Sequence, residues 1–288
     1  MTGSSEIVSR DAPADIREAY LKLSQDSRYG HFARIPDRIC RCLDYFQIAC
    51  NRVAVRERLH SYYLFIGVVD DLIDSTQLEA GSEILGHFDN RIPCFNREIY
   101  QSRAGLAAEV LKCHIDDEIY STALNELEQL YQAVVRERKG RTIKAYIEER
   151  RVVGRLTAKL SYLLMRPLFE TEREDFCWFL QDVGEVGCLI DSVIDLKADD
   201  RLGLLSFSST LDDRLRLLAI ALRHGIKISV KHPRLLVLFL EALGDNVLDR
   251  FRSISVTSRR VTRPNPKTNP AASNGNTEAL PGVAWTEP

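Results

Sequence analysis

Residues 184–203 read GEVGCLIDSVIDLKADDRLG, and three of their aspartates, Asp191, Asp195 and Asp199, recur at every fourth position. At 3.6 residues per turn this spacing stacks the three carboxylates along one face of a helix. The apolar residues between them recur at three and four rather than two, which is helical and not strand periodicity. Working outward, the same period predicts helices over 12–25, 37–54, 55–75, 103–113, 116–138, 141–166, 172–198, 209–224 and 233–252. Thr171 with Glu174 three positions on has the spacing of a capping box for the 172–198 helix, which at 1.5 Å per residue would run about 40 Å. Only Pro13, Pro36, Pro93, Pro167 and Pro233 fall before Pro264. The chain is therefore read as all-α: a flexible N-terminus over 1–12, one helical bundle over 13–253, and a Pro- and Asn-rich disordered tail over 254–288.

The 288 residues suffice for a large core, and Lys+Arg 39 against Asp+Glu 41 gives a net charge of -2. That balance lacks the basic excess expected of a nucleic-acid binder, so no nucleic-acid partner is expected. No apolar run approaches the roughly 18 residues of a membrane span, and the N-terminus is polar, so a cytoplasmic chain is expected. Seven cysteines in apolar surroundings, with no C-x-x-C pair, fit free thiols better than disulfides or a zinc cluster. Six basic residues and no acid lie between Arg214 and Arg234, interleaved with Leu and Ile. A solvated helix face is their simplest use, and peripheral contact with an anionic membrane is compatible with them.

A second acidic group lies in SYYLFIGVVDDLIDS (61–75), where Asp70 and Asp74 are one turn apart and Asp71 sits beside them. A solvated acidic face is the ordinary use of either group alone. Such a face does not need its acids embedded in Val, Leu and Ile twice, and like charges at this spacing repel. A hard divalent cation would relieve the repulsion. Mg²⁺, with Mn²⁺ as a substitute, takes oxygen ligands and is commonly held by one or two carboxylates together with substrate phosphates. In YIEERRVVGRLTAKLSYLLM (146–165), Arg151, Arg155 and Lys159 step by four and form a candidate phosphate clamp, the alternative being a salt-bridged surface stripe. Arg201 is a further candidate, with Arg28 and Tyr29 behind it. Gly154, Gly184 and Gly187 interrupt the long helices, where each costs up to about 1 kcal/mol relative to Ala unless close packing uses it.

The pairing of D-D-x-x-D (Asp70, Asp71, Asp74) with D-x-x-x-D-x-x-x-D (Asp191, Asp195, Asp199) resembles the class I isoprenoid synthase superfamily, and within it the squalene/phytoene synthases. CLIDSVIDLKADDRLGLL is similar to their second aspartate motif, RRVVGRLTAKLSYLL to their V-A-G-x-V-G helix, and LHSYYLFIGVVDDLIDS to their first aspartate helix. Cys188 stands where that group has Gln, and Asp191 where it has Asn. The Arg-Arg-Gly and early G-K-x-R of chain-elongating synthases are missing, which disfavours elongation.

The resemblance implies an isoprenoid-synthase bundle with a central apolar cavity and Mg²⁺-dependent ionisation of an allylic prenyl diphosphate, followed by head-to-head prenyl transfer. Asp70, Asp74, Asp191, Asp195 and Asp199 would bind the metal, with Asp71 beside them. Arg151, Arg155, Lys159 and Arg201 would take the diphosphate. Tyr62, Phe65, Tyr146, Tyr162 and Phe179, with Tyr63 and Trp178, would line the cavity, where aromatic faces stabilise a carbocation. A terpene cyclase, whose N-D-x-x-S-x-x-x-E triad has the same turn spacing, is the main alternative, and a catalytically silent helical interaction protein a remoter one. A di-iron bundle is poorly served, since only Glu57–His60 has the Glu-x-x-His spacing. Prenyl chain length, NADPH use, a homodimer and membrane association are left open.

Overall fold

The computed structural model describes residues 14–75, 80–94, 102–235 and 244. Among them every regular element is helical, as the periodicity predicts. Nine α-helices follow in order: α1 (Ala14–Ser24), α2 (Ile35–Tyr45), α3 (Arg52–Ser75), α4 (Ala80–Gly86), α5 (Arg103–Lys112), α6 (Tyr120–Lys139), α7 (Ile143–Met165), α8 (Glu174–Arg201) and α9 (Leu211–Lys231). The expected flexible N-terminus at 1–12, most of the expected helix at 233–252, and the expected tail at 254–288 lie outside the described residues.

Two boundaries differ from the sequence pattern for identifiable reasons. The helix expected over 37–54 stops at Tyr45, because Gln47 takes a left-handed conformation (φ 54°). Ile48 N donates to Leu43 O (3.0 Å) and Gln47 N to Asp44 O (3.1 Å), the hydrogen-bond pair of a Schellman ending. Glycine usually occupies that position and announces it; Gln does so at a cost of about 1 kcal/mol and leaves no sequence signal. Asn51 then starts α3, its side chain accepting from Val53 N (3.1 Å) and Ala54 N (3.2 Å). The second difference is at α8. The expected Thr171–Glu174 capping box is not formed: α8 starts at Glu174 after Arg173, which makes no side-chain cap bond, and the Arg173 guanidinium instead holds Asp175 at 2.9 Å. Helix α9 does carry a complete capping box, Thr210 with Asp213, and it continues through Gly225 to Lys231, seven residues past the expected end.

Helix α7 is central, packed between α6 and α8 and against α3, while α8 lies between α7 and α9. Gly154 of α7 and Gly184 of α8 let the two backbones approach closely: a Cβ built on either would lie 2.4 Å from the other's carbonyl oxygen. The helices run antiparallel, so Tyr146 faces Ser192 and Arg150 faces Cys188 on the same seam. One core cluster extends from Ile16 in α1 to Ile228 in α9. A smaller cluster of Tyr146, Ile147, Leu189, Leu196, Leu217 and Ala221 lies under the N-terminal part of α7. Among the described residues no helix is long and apolar enough to cross a membrane. The seven cysteines are free.

Candidate functional site at the acidic end of the bundle

The last turns of α3, α6 and α8 and the first turns of α7 meet at one end of the bundle. Asp70, Asp71 and Asp74 come from α3, Glu137 and Arg138 from α6, Tyr146 and Arg150 from α7, and Asp191, Asp195 and Asp199 from α8. Two acidic groups separated by about 120 residues of sequence thus act on one another through space. Burial raises the Asp70 carboxyl above the usual carboxylate range, although the residue keeps solvent access; Arg150 opposes the rise, Asp191 adds to it, Arg138 opposes it again and Asp71 adds to it. Asp199 is raised likewise, first by burial, with Arg150 and Arg138 opposing and Asp191 and Asp70 reinforcing. Glu137 is raised by burial and, more weakly, by Asp70 and Asp199, against Arg150. Asp195 lies half-buried between Asp191 and Asp199 on α8.

Arg150 is the hub. Its Nη2 meets Asp191 Oδ2 at 3.2 Å, its Nη1 meets Glu137 Oε1 at 3.4 Å, and its Nε donates to Ser192 Oγ at 2.9 Å. Tyr146 donates to the same Ser192 Oγ (3.1 Å), and Ser192 Oγ donates to Cys188 O (2.9 Å), so the guanidinium is fixed by the α7–α8 seam. Burial pushes the Cys188 thiol up to about 11 and the Tyr146 phenol up to about 12, so both stay protonated. Arg138 is ion-paired with Asp74 and reaches Leu204 O (3.3 Å), tying α3 to the loop after α8. That loop turns back at Gly203 (φ 71°), where Leu204 N donates to Asp199 O (2.9 Å). Asp71 accepts from Tyr29 Oη (3.1 Å) and Arg28 Nη1 (3.4 Å), which bring the 3-10 turn Ser27–Tyr29 to the rim.

The expected basic stripe is placed differently from the acids. Arg151 Nε pairs with Glu185 (2.6 Å) and its Nη1 with Glu148 (3.5 Å), Arg155 pairs with Glu185 (3.5 Å), and Lys159 with Glu126 (2.6 Å). His224 of α9 also reaches Glu185 (3.0 Å). These residues knit α7 to α6, α8 and α9, and Arg201 is exposed at the end of α8. The sequence pattern singles out Arg151, whereas the structure places its neighbour Arg150, together with Glu137 and Arg138, among the acids. The available signal was that Arg150 is one turn from both Tyr146 and Gly154, on the buried face of α7, whereas a regular step of like charges marks a face that pairs with other helices.

Of the expected cavity residues, Tyr62 and Tyr146 are buried and hydrogen-bonded, Tyr62 to Thr157 O (3.1 Å), and Tyr63 reaches Ser161 Oγ (2.9 Å). Phe65 packs edge-on against Phe88 (5.6 Å). Tyr162 and Phe179 belong to a cluster with Phe46, Phe169, Phe176 and His232, about 18 Å from the acids along the helix axes. Trp178, expected to line a cavity, is instead 64% exposed.

Seven carboxylates (Asp70, Asp71, Asp74, Glu137, Asp191, Asp195, Asp199) share three guanidinium groups (Arg28, Arg138, Arg150), an all-oxygen set whose excess negative charge suits a hard divalent cation. Among the described residues no group of three such side chains has the arrangement of a preformed metal site. Asp74 and Asp191 are turned toward arginines, so a cation would enter by partner exchange. No family model matches the chain, and no curated protein or solved structure shows significant similarity to it.

Proposed function

We propose that the chain ionises an allylic prenyl diphosphate and joins prenyl groups head to head, in the manner of squalene and phytoene synthases. The observation that carries this is the meeting of Asp70 and Asp74 with Asp191 and Asp199 around Arg150 and Arg138 at one end of an apolar bundle. Asp70, Asp74, Asp191, Asp195 and Asp199 would hold Mg²⁺ or Mn²⁺, which when bound supplies positive charge to the leaving diphosphate.

The protein's own part is electrostatic. Arg150 and Arg138, now on carboxylates, have the charge and donor geometry to move onto diphosphate oxygens, where charge grows as the C–O bond breaks. Ser192 and Tyr146 keep Arg150 aimed during that exchange. Tyr29 and Arg28 hold Asp71 at the rim. The apolar residues beneath the acids, such as Leu189 and Phe65, exclude water from a reactive cation.

The test is incubation with C10, C15 and C20 prenyl diphosphates and Mg²⁺, with and without NADPH, measuring released diphosphate and extractable hydrocarbon. A dimeric product is expected. A monomeric one would assign a cyclase on the same site. No release from any substrate, or release untouched by Asp70→Asn and Asp195→Asn, would leave a helical interaction protein.

A further inference from the structure

Among the described residues, helix α9 is bound to the bundle on one side only. Leu217, Ala221 and Ile228 are buried, Arg214 Nε donates to Val193 O (2.8 Å), and His224 meets Glu185 (3.0 Å). Leu211, Leu215, Leu218, Leu222, Ile226 and Val230, spaced by three and four, form a second stripe about 30 Å long on another face. Each of them is between 37% and 76% exposed. A continuous aliphatic stripe of that length on a surface marks a contact with something apolar. Roughly a third of a turn further round lie Arg216, Arg223 and Lys227, followed by Lys231 and Arg234. By the register that pairs Glu185 with His224 and Val193 with Arg214, the exposed Trp178 of α8 stands level with the last turn of α9.

These features together choose the occupant. A second copy of the chain would bring the same cations against themselves. An anionic bilayer accepts both parts at once, the aliphatic side chains at the acyl boundary and the cations among the headgroups. We propose that the outer face of α9 docks on an anionic lipid surface. The contact does not depend on the diphosphate chemistry, because vesicles can be offered without any prenyl substrate.

The full chain should co-sediment with phosphatidylcholine vesicles containing about 30% phosphatidylglycerol and not with phosphatidylcholine alone, and rising salt should weaken binding. Leu222→Glu with Ile226→Glu should lower the partition coefficient about tenfold or more. Arg223→Gln with Lys227→Gln should lower it several-fold and flatten its salt dependence. Because all four side chains point outward, both double variants should melt with the parent protein. The proposal is overturned by absence of binding to the anionic vesicles, or by binding unchanged in Leu222→Glu/Ile226→Glu. It is also overturned by a dimer in light scattering that this variant dissociates, which would assign the stripe to a second copy. A melting temperature several degrees lower in the same variant would assign it to cover by the chain's own residues 236–251, and would equally overturn it.

Discussion

Replacing Gly154 with alanine tests the geometry on which the acidic end depends. The added methyl would lie 2.4 Å from Gly184 O, 2.8 Å from Gly184 C and 2.9 Å from Glu185 Cα. All three are backbone atoms of α8, so no side chain can rotate to make room. Ordinary contact begins at 3.4 Å, so the two helices must part by roughly 1 Å, an overpacking that costs about 1–3 kcal/mol. Alanine returns up to about 1 kcal/mol through helix propensity, leaving a net loss of up to about 2 kcal/mol. At about 2–4 °C per kcal/mol, Tm should fall by up to about 8 °C. The same displacement stretches Arg150–Ser192 (2.9 Å), Tyr146–Ser192 (3.1 Å) and Arg150–Asp191 (3.2 Å) out of hydrogen-bonding range, so diphosphate release should fall further than the melting curve alone implies. Gly187 is the control: a Cβ there meets nothing within 4 Å, so Gly187→Ala should gain up to about 1 kcal/mol and raise Tm. Thermal unfolding by circular dichroism reads both. If Gly154→Ala melts at or above the parent temperature, or if both variants shift in the same direction, the two backbones are not in contact and the placement of Arg150 fails with them.

Three further outcomes follow from particular contacts. Because burial raises Asp70 in the folded state, its contribution to stability is present below the ordinary carboxylate pKa and lost as pH rises through the raised value; Asp70→Asn should therefore gain on the parent as pH rises above the ordinary carboxylate pKa of about 4 and converge with it below, and a pH-independent offset in Tm would contradict this. Lys112, with a side chain 1% exposed, donates to His87 O (2.7 Å) and Asn90 O (3.0 Å) and pairs with the equally buried Glu109 (2.8 Å), so Lys112→Met should cost about 3–5 kcal/mol in urea unfolding, and a loss under about 1 kcal/mol would show the pair to be dispensable. Arg150→Gln should lower diphosphate release about a hundredfold or more, while Arg155→Gln stays within a few-fold; equal losses would return the diphosphate to the Arg151–Arg155–Lys159 stripe.

The helical class and most helix spans were legible because periodicity is a one-dimensional signal that packing preserves. The breaks were less so where the chain stops a helix without the usual residue: Gln47 takes the left-handed position that Gly would have advertised. The acids were legible because like charges embedded in apolar sequence are an anomaly at the level of a single helix. Their counter-ions were not, since choosing between Arg150 and Arg151 requires knowing which side of α7 meets α8. The close approach of Gly154 and Gly184 decides that, and two glycines some thirty residues apart carry no mark of being partners. The α9 stripe was read for its charges alone, because the exposure of its leucines is a property of the packed structure.

The distribution of unbalanced charge is what separates the acidic end from the rest of the bundle. Elsewhere buried acids are matched locally: Lys112 with Glu109, Lys159 with Glu126, and Arg151, Arg155 and His224 with Glu185. A chain that compensates its interior charges this consistently does not lack the means to do so at its acidic end, yet there burial raises Asp70 and Asp199 and the Asp191 carboxylate adds to the rise of each. Folding alone gives no reason to keep that repulsion, since replacing any of the three with Asn would relieve part of it. Retained strain of this kind is expected where a ligand supplies the missing charge. Two arginines already stand among these acids, so a ligand of the proposed kind would bring cations for the carboxylates and an anion for the guanidinium groups they release. A metal-complexed diphosphate meets both demands, whereas a bare metal ion or a bare phosphate meets only one.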